Sequence, residues 1–211
     1  MADKLKVVFG DNIIEADEYP WGHRDFVLKG APWTTGERVF HLMVEQGLKE
    51  DSTLLDFGCG SLRVGRFLMM YLNPGCYFGL EPNKWLVDES AKHEVGQDLF
   101  KIKKPEFRHN NDFNADVFDR KFDFILVSGI MTHMDHDQLT RTLAGCMKAL
   151  APGGLFLGSI IPVGGPDHDY PGWQYPQQAC HFPSCITSRV TDKKYTEVGS
   201  DVSGALWFTL T

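Results

Sequence analysis

Apolar residues recur along this chain in two alternating modes. Residues 53–57, "CYFGLE" and "KFDFILVSG" are short, nearly continuous apolar runs. A strand covered on both faces loses the in–out alternation, so each run predicts a buried strand. Between them the spacing turns helical. Val64, Phe67, Leu68, Tyr71 and Leu72 fall at i, i+3, i+4, i+7 and i+8 and predict a helix over about 62–72. "TTGERVFHLMVEQGL" places Thr34 and Glu37 at capping-box spacing, ahead of an apolar face of Val39, Phe40, Met43, Val44 and Gly47. "NPG" is a turn. "NKWLVDESAKHEVG" predicts a second helix, and "PEFRHNNDF" a short third strand with its exit loop. Asp135 and Gln138 cap a helix carrying Leu139, Leu143, Cys146 or Met147, and Leu150. "APGGLFLGSII" turns into a fifth strand, and "ALWFTL" is a last one. Strand, helix, strand, helix at this spacing predicts an α/β fold, a doubly wound and mostly parallel sheet with helices on both faces.

The two ends of this pattern differ from its middle. Residues 1–33 show little periodicity yet hold Tyr19, Trp21, His23 and Trp33, so they are expected to form a leader or lid before a domain over 34–211. Residues 162–185 carry five prolines among Tyr170, Trp173, Tyr175 and Phe182. So long a loop in a compact domain is more often functional than idle.

Composition narrows the partners. The formal net charge is −7, and Lys101, Lys103 and Lys104, the nearest thing to a basic cluster, read as a solvated loop. Nucleic-acid binders usually show a basic face, which makes that class of substrate unlikely. No stretch approaches the roughly 20 apolar residues of a membrane span, and the first residues lack the pattern of a secretory signal. Five cysteines without framework spacing suit reduced thiols in a cytoplasmic protein.

The chemistry starts at "LLDFGCGSLRVG", residues 54–65. An apolar run ends in Asp56, and Gly58 and Gly60 follow just before a helix. Glycines at a strand tip let a ligand approach bare backbone, and parallel sheets bind ligands at those tips. Glu81 ends the next strand, where an acid accepts hydrogen bonds from ribose hydroxyls. A nucleoside ligand follows. A dinucleotide fingerprint needs glycine at 63, where this chain has Arg63, and no phosphate loop of the GxxxxGK[ST] type occurs. What remains is a nucleoside without a phosphate chain.

"LLDFGCGSLRVG", "GLEPN", "HNNDF", "FDFILVSGIMTHM" and "LAPGGLFL" occur in the order seen in class I S-adenosylmethionine-dependent methyltransferases, and the chain resembles that family over about residues 34–161. The resemblance implies the Rossmann-like class I methyltransferase fold, S-adenosylmethionine as cofactor and a small-molecule acceptor. It implies that Asp56, Gly58, Cys59 and Gly60 line the methionine half of the cofactor, and that Glu81 holds the ribose with Pro82 and Asn83 beside the adenosine. It further implies that Asp112 and Phe113 flank the adenine and that Ser128 lies against the sulfonium. No "NPPY"-type sequence follows the fourth strand, which argues against DNA amino-methylation.

Methyl transfer needs a base only when the acceptor must lose a proton. His133, just past the fourth strand, is the candidate base; ordering of its own loop is the alternative role. The acceptor is expected to meet Tyr19, Trp21, His168, Tyr170, Trp173 and Tyr175, whose rings and polar tips suit a mostly apolar pocket. His133 and His136 match no metal-site spacing, so no metal is expected. Two other readings remain open: a catalytically silent S-adenosylmethionine-binding protein acting through a partner, and a nicotinamide-dependent oxidoreductase, which Arg63 disfavours.

Overall fold

A computed structural model of the chain describes residues 6–15, 32–161, 183–200 and 205–211. Tyr19, Trp21, His23, His168, Tyr170, Trp173 and Tyr175 lie outside the described residues. The chain divides into two compact units, Met1–Asn111 and Asp112–Thr211. Each unit carries its own run of sheet strands.

The first unit holds a hairpin, β1 (Lys6–Phe9) and β2 (Asn12–Glu15), then α1 (Pro32–Glu45), β3 (Leu54–Phe57), α2 (Gly65–Tyr71), β4 (Tyr77–Leu80), α3 (Lys84–Ser90), α4 (Gln97–Lys103) and β5 (Glu106–Arg108). Its three sheet strands run parallel in the order β5-β4-β3, with Asp56 level with Gly79 and Phe57 level with Leu80. Every residue of β3 and β4 is buried, as their continuous apolar runs require.

Three expectations need correction here. The first helix begins at Pro32, so Thr34 lies inside its first turn and does not cap it. Proline fits that first position, where its missing N–H has no partner to lose. Lys101 and Lys103 belong to a helix, α4, and not to a loop. Lys103 Nζ donates to the carbonyls of Met70 (2.9 Å) and Leu72 (2.8 Å), satisfying acceptors that the end of α2 leaves open. The leader, read as aperiodic, contains the hairpin over residues 6–15.

The second unit holds β6 (Phe122–Val127), α5 (His136–Ala149), β7 (Leu150–Ile160), α6 (Ser184–Thr187), β8 (Tyr195–Ser200) and β9 (Leu206–Leu210). Its strand order is β6-β7-β9-β8, parallel at the first pair and antiparallel at the other two. Phe122, Phe156 and Phe208 are its largest fully buried side chains. The capping box of α5 is formed as its sequence predicts. Asp135 Oδ1 accepts from Gln138 N (2.8 Å), and Gln138 Oε1 accepts from Asp135 N (3.0 Å). Cys59, Cys76 and Cys146 are free thiols, whereas Cys185 is disulfide-bonded and departs from the reading of all five as reduced. No helix among the described residues is long and apolar enough to cross a membrane.

Candidate functional site

The loop after β3 is stitched to the end of β4. Gly58 N and Cys59 N both donate to Leu80 O, at 2.7 and 3.2 Å. Left-handed backbone recurs at alternate residues, with φ of 76° at Gly58, 52° at Gly60 and 57° at Leu62. Glycine adopts this conformation without strain; a buried leucine does so only when its surroundings impose it. Among the described residues, a Cβ built on Gly60 would meet nothing nearer than Gly58 O at 4.0 Å. No described residue covers the Gly60 backbone on that side.

Glu81 closes the other side. It is 6% exposed, yet among the described residues no lysine or arginine is hydrogen-bonded to its carboxylate. Oε2 accepts from Gly60 N (3.1 Å), and Oε1 accepts from Asn83 N (2.9 Å) and Asn83 Nδ2 (2.6 Å). Burial pushes its acid strength down, raising the pKa, and the Asn83 and Gly60 donors partly offset this. His109 Nδ1 donates to the Glu81 carbonyl at 2.7 Å and fixes the backbone of the turn. A carboxylate has about four acceptor positions, so Oε2 keeps capacity for a hydroxyl.

Asp56 faces a different neighbour. It is 3% exposed and accepts a 2.8 Å hydrogen bond from the Tyr77 hydroxyl. Burial raises its pKa from 3.8 to about 7, against the lowering influence of Tyr77 and Arg63. Burial likewise pushes the Cys59 thiol well up, so Cys59 is no thiolate nucleophile. Ser61 Oγ, 2% exposed, has no hydrogen-bond partner among the described residues, while Ser61 O accepts from Ser90 Oγ (2.6 Å). Pro82 is half-buried beside these groups.

The remaining sequence-derived candidates lie in the second unit. Asp112 is exposed, and its Oδ1 accepts from Asn114 N at 3.0 Å, as a turn former does. Phe113 is buried at φ 60° with the Arg141 guanidinium 5.8 Å from its ring centre. Ser128 is half-buried directly after β6. The neighbouring Gly129 N donates to Ser159 Oγ (2.9 Å). His133 ends a short 3₁₀ turn, Met131–His133, and its N–H donates to Ile130 O at 3.0 Å. Asp135 is committed to its capping box, and His136 meets the Arg189 guanidinium at 2.5 Å. Among the described residues no cluster of three His, Cys, Asp or Glu is placed to hold a metal ion.

Sequence reasoning missed Tyr77, Ser61 and Arg141. Tyr77 and Ser61 lie inside or beside the very runs that were read, where a hydroxyl among apolar residues is the available signal.

Residues 55–156 match the family model of a methyltransferase domain. The fold resembles DhpI bound to S-adenosylhomocysteine, at 15% identity and a TM-score of 0.63 over 90% of each chain. It also resembles magnesium protoporphyrin IX methyltransferase from Synechocystis PCC 6803 with bound S-adenosylmethionine. That match has 13% identity and a TM-score of 0.60 over 83% of this chain and 77% of that one. The N-methyltransferase NodS from Bradyrhizobium japonicum WM9, complexed with S-adenosyl-L-homocysteine, matches at 13% identity and a TM-score of 0.59 over 83% and 84%.

Proposed function

We propose that the chain is a class I S-adenosylmethionine-dependent methyltransferase that methylates a small-molecule acceptor, with Glu81 and the Gly58–Gly60 loop as the centre of its cofactor site. The observation that carries the assignment is the buried Glu81 carboxylate. It is aimed by Gly60 N–H and Asn83 and keeps acceptor capacity beside Gly60 backbone that no described side chain covers. A ribose diol needs such an acceptor, and a sulfonium carrying an amino-acid arm needs the open backbone. The donor set fits the cofactor.

When bound, S-adenosylmethionine supplies an electrophilic methyl group on a good leaving group. The protein's contribution is placement. Holding an acceptor atom in line and close accounts for up to roughly 7–11 kcal/mol of such a barrier. Where the acceptor carries a proton, His133 takes it, and the acceptor's lone pair forms the new bond to carbon. Asp112, Phe113 and Ser128 keep the adenine and sulfonium roles that the resemblance implies. The aromatic residues Tyr19, Trp21, His168, Tyr170, Trp173 and Tyr175 are assigned to the acceptor, with residues 1–33 as lid and 162–185 as acceptor loop of a domain over 34–211.

A small-molecule acceptor is favoured by the net charge of −7, which suits no phosphate backbone. It is also favoured by the likeness to an enzyme named for magnesium protoporphyrin IX. The decisive test is titration calorimetry with S-adenosylhomocysteine on the protein and its Glu81→Gln variant. Loss of the carboxylate is expected to weaken binding 10- to 100-fold, the range for hydrogen bonds to a charged group; equal affinities would remove the ribose assignment. For the base, His133→Ala is expected to lower kcat with S-adenosylhomocysteine affinity unchanged, once labelled cofactor has identified an acceptor. Unaltered kcat would leave His133 only its place in the loop.

A further inference from the structure

The outer edge of β1 is fastened in a regular way. A two-residue Gly10–Asp11 loop joins β1 to β2, so Phe9 pairs with Asn12 and Val7 with Ile14. In an antiparallel ladder the backbone groups of alternate residues face the partner strand, and those between them face outward. The outward row here is Lys6, Val8 and Gly10, and each of the three is met by a side chain. Trp85 Nε1 donates to Lys6 O at 2.9 Å. Asn83 Oδ1 accepts from Val8 N (2.6 Å) and Asn83 Nδ2 donates to Val8 O (2.9 Å). Asn111 repeats the arrangement on Gly10, accepting at 2.9 Å and donating at 2.7 Å.

Asn83 differs from the other two in what its second N–H does. Nδ2 carries two protons. One goes to Val8 O and the other to Glu81 Oε1, at 2.6 Å. Both donors of the amide are spent, and its oxygen already accepts from Val8. The side chain is 6% exposed. It has nothing left to donate to a ligand, although the resemblance places it beside the adenosine. Its orientation is also determined twice. Val8 N–H demands the oxygen end and the Glu81 carboxylate demands the nitrogen end, and one rotamer meets both.

We propose that Asn83 is a positioning residue that joins the ribose acid to the β1–β2 hairpin, so that a nucleoside diol on Glu81 and the hairpin on Asn83 hold each other in place. This rests on Glu81 being the ribose acid. An undocked hairpin frees the Asn83 amide to turn away, and Glu81 Oε1 then loses its side-chain donor. A ligand that needs the carboxylate in its present orientation therefore favours the docked hairpin, and by linkage the docked hairpin favours the ligand. Asn111 fastens the same hairpin without touching Glu81, which allows the two effects to be separated.

The test is amide hydrogen exchange on the full chain with and without saturating S-adenosylhomocysteine, alongside calorimetry. In the unaltered protein the ligand is expected to slow exchange at Val8 at least fivefold more than at the β8 amides. Asn83→Ala is expected to bind about 10-fold more weakly and to lose that ligand-dependent slowing. Asn111→Ala, which loosens the hairpin from its other end, is expected to weaken binding two- to fivefold. A merely structural asparagine would show none of the ligand dependence. The proposal is overturned if the unaltered protein binds the ligand while Val8 exchange follows β8, or if Asn83→Ala binds as tightly as the unaltered chain. Should Asn83→Ala not fold, the exchange measurement on the unaltered protein and the Asn111→Ala affinity decide the matter. Absence of binding to the unaltered protein would overturn the underlying ribose-acid reading instead.

Discussion

Replacing Asp56 with asparagine is expected to stabilise the ligand-free protein at pH 8 and to leave it unchanged at pH 4. Asp56 sits on β3, 3% exposed, with the Tyr77 hydroxyl 2.8 Å from its Oδ2. A Cβ on Gly65 would collide with that hydroxyl, so the start of α2 keeps the tyrosine in place. Burial raises the carboxyl pKa from 3.8 to about 7, and Tyr77 and Arg63 pull it back only in part. The folded protein therefore keeps this proton until about pH 7, whereas the unfolded chain releases it near 3.8. Between those values the native state binds more protons, so unfolding free energy falls as pH rises and levels off above the folded value. Three decades of proton affinity correspond to about 4 kcal/mol. Asparagine cannot ionise but still accepts from Tyr77, so it escapes this loss. Urea denaturation of both proteins at pH 4, 6, 7 and 8 measures it. At roughly 2 kcal/mol per molar urea, the variant's midpoint at pH 8 is expected to lie about 1–2 M higher. A difference that does not change with pH, or a variant less stable at pH 8, would refute the reasoning.

Gly60→Ala is expected to cost about 1–2 kcal/mol of stability, the strain of φ 52° on a residue with a Cβ. It is expected to cost far more in S-adenosylhomocysteine affinity, more than 10-fold, because the new methyl stands on the bare side of the loop. A melting curve and a titration separate the two. Asp135→Ala removes the capping box of α5 and is expected to lower stability by about 1 kcal/mol; an unchanged melting temperature would contradict the role assigned to the cap.

What the sequence made legible follows from where burial is continuous. Leu54–Phe57 and Phe122–Val127 are almost wholly buried, and a strand buried on both faces shows itself as an unbroken apolar run. The helix after Asp135 was legible because both halves of its cap are encoded three residues apart in one short stretch. By contrast, α4 buries none of its side chains and leaves Ile102 61% exposed, so no apolar stripe distinguishes it from a loop. The hairpin escaped notice because each of its strands has four residues and its loop only two.

The site divides in the same way. The turn at Gly58 and Gly60 was readable because left-handed backbone at a strand tip favours glycine. The Tyr77–Asp56 bond and the Asn83 bridge to Val8 span 21 and 75 positions of sequence, and only the fold brings them together. The resemblance supplied Asn83 as a neighbour of the ligand. Its hydrogen bonds also tie it to Val8 and to the Glu81 carboxylate.

A crystal structure of the protein with S-adenosylhomocysteine tests the central claim most directly. A ribose hydroxyl is expected within about 2.5–3.0 Å of Glu81 Oε2, with the homocysteine arm lying across the backbone of Gly58 and Gly60. A nucleoside bound elsewhere, with the Glu81 carboxylate making no contact to it, would contradict the account.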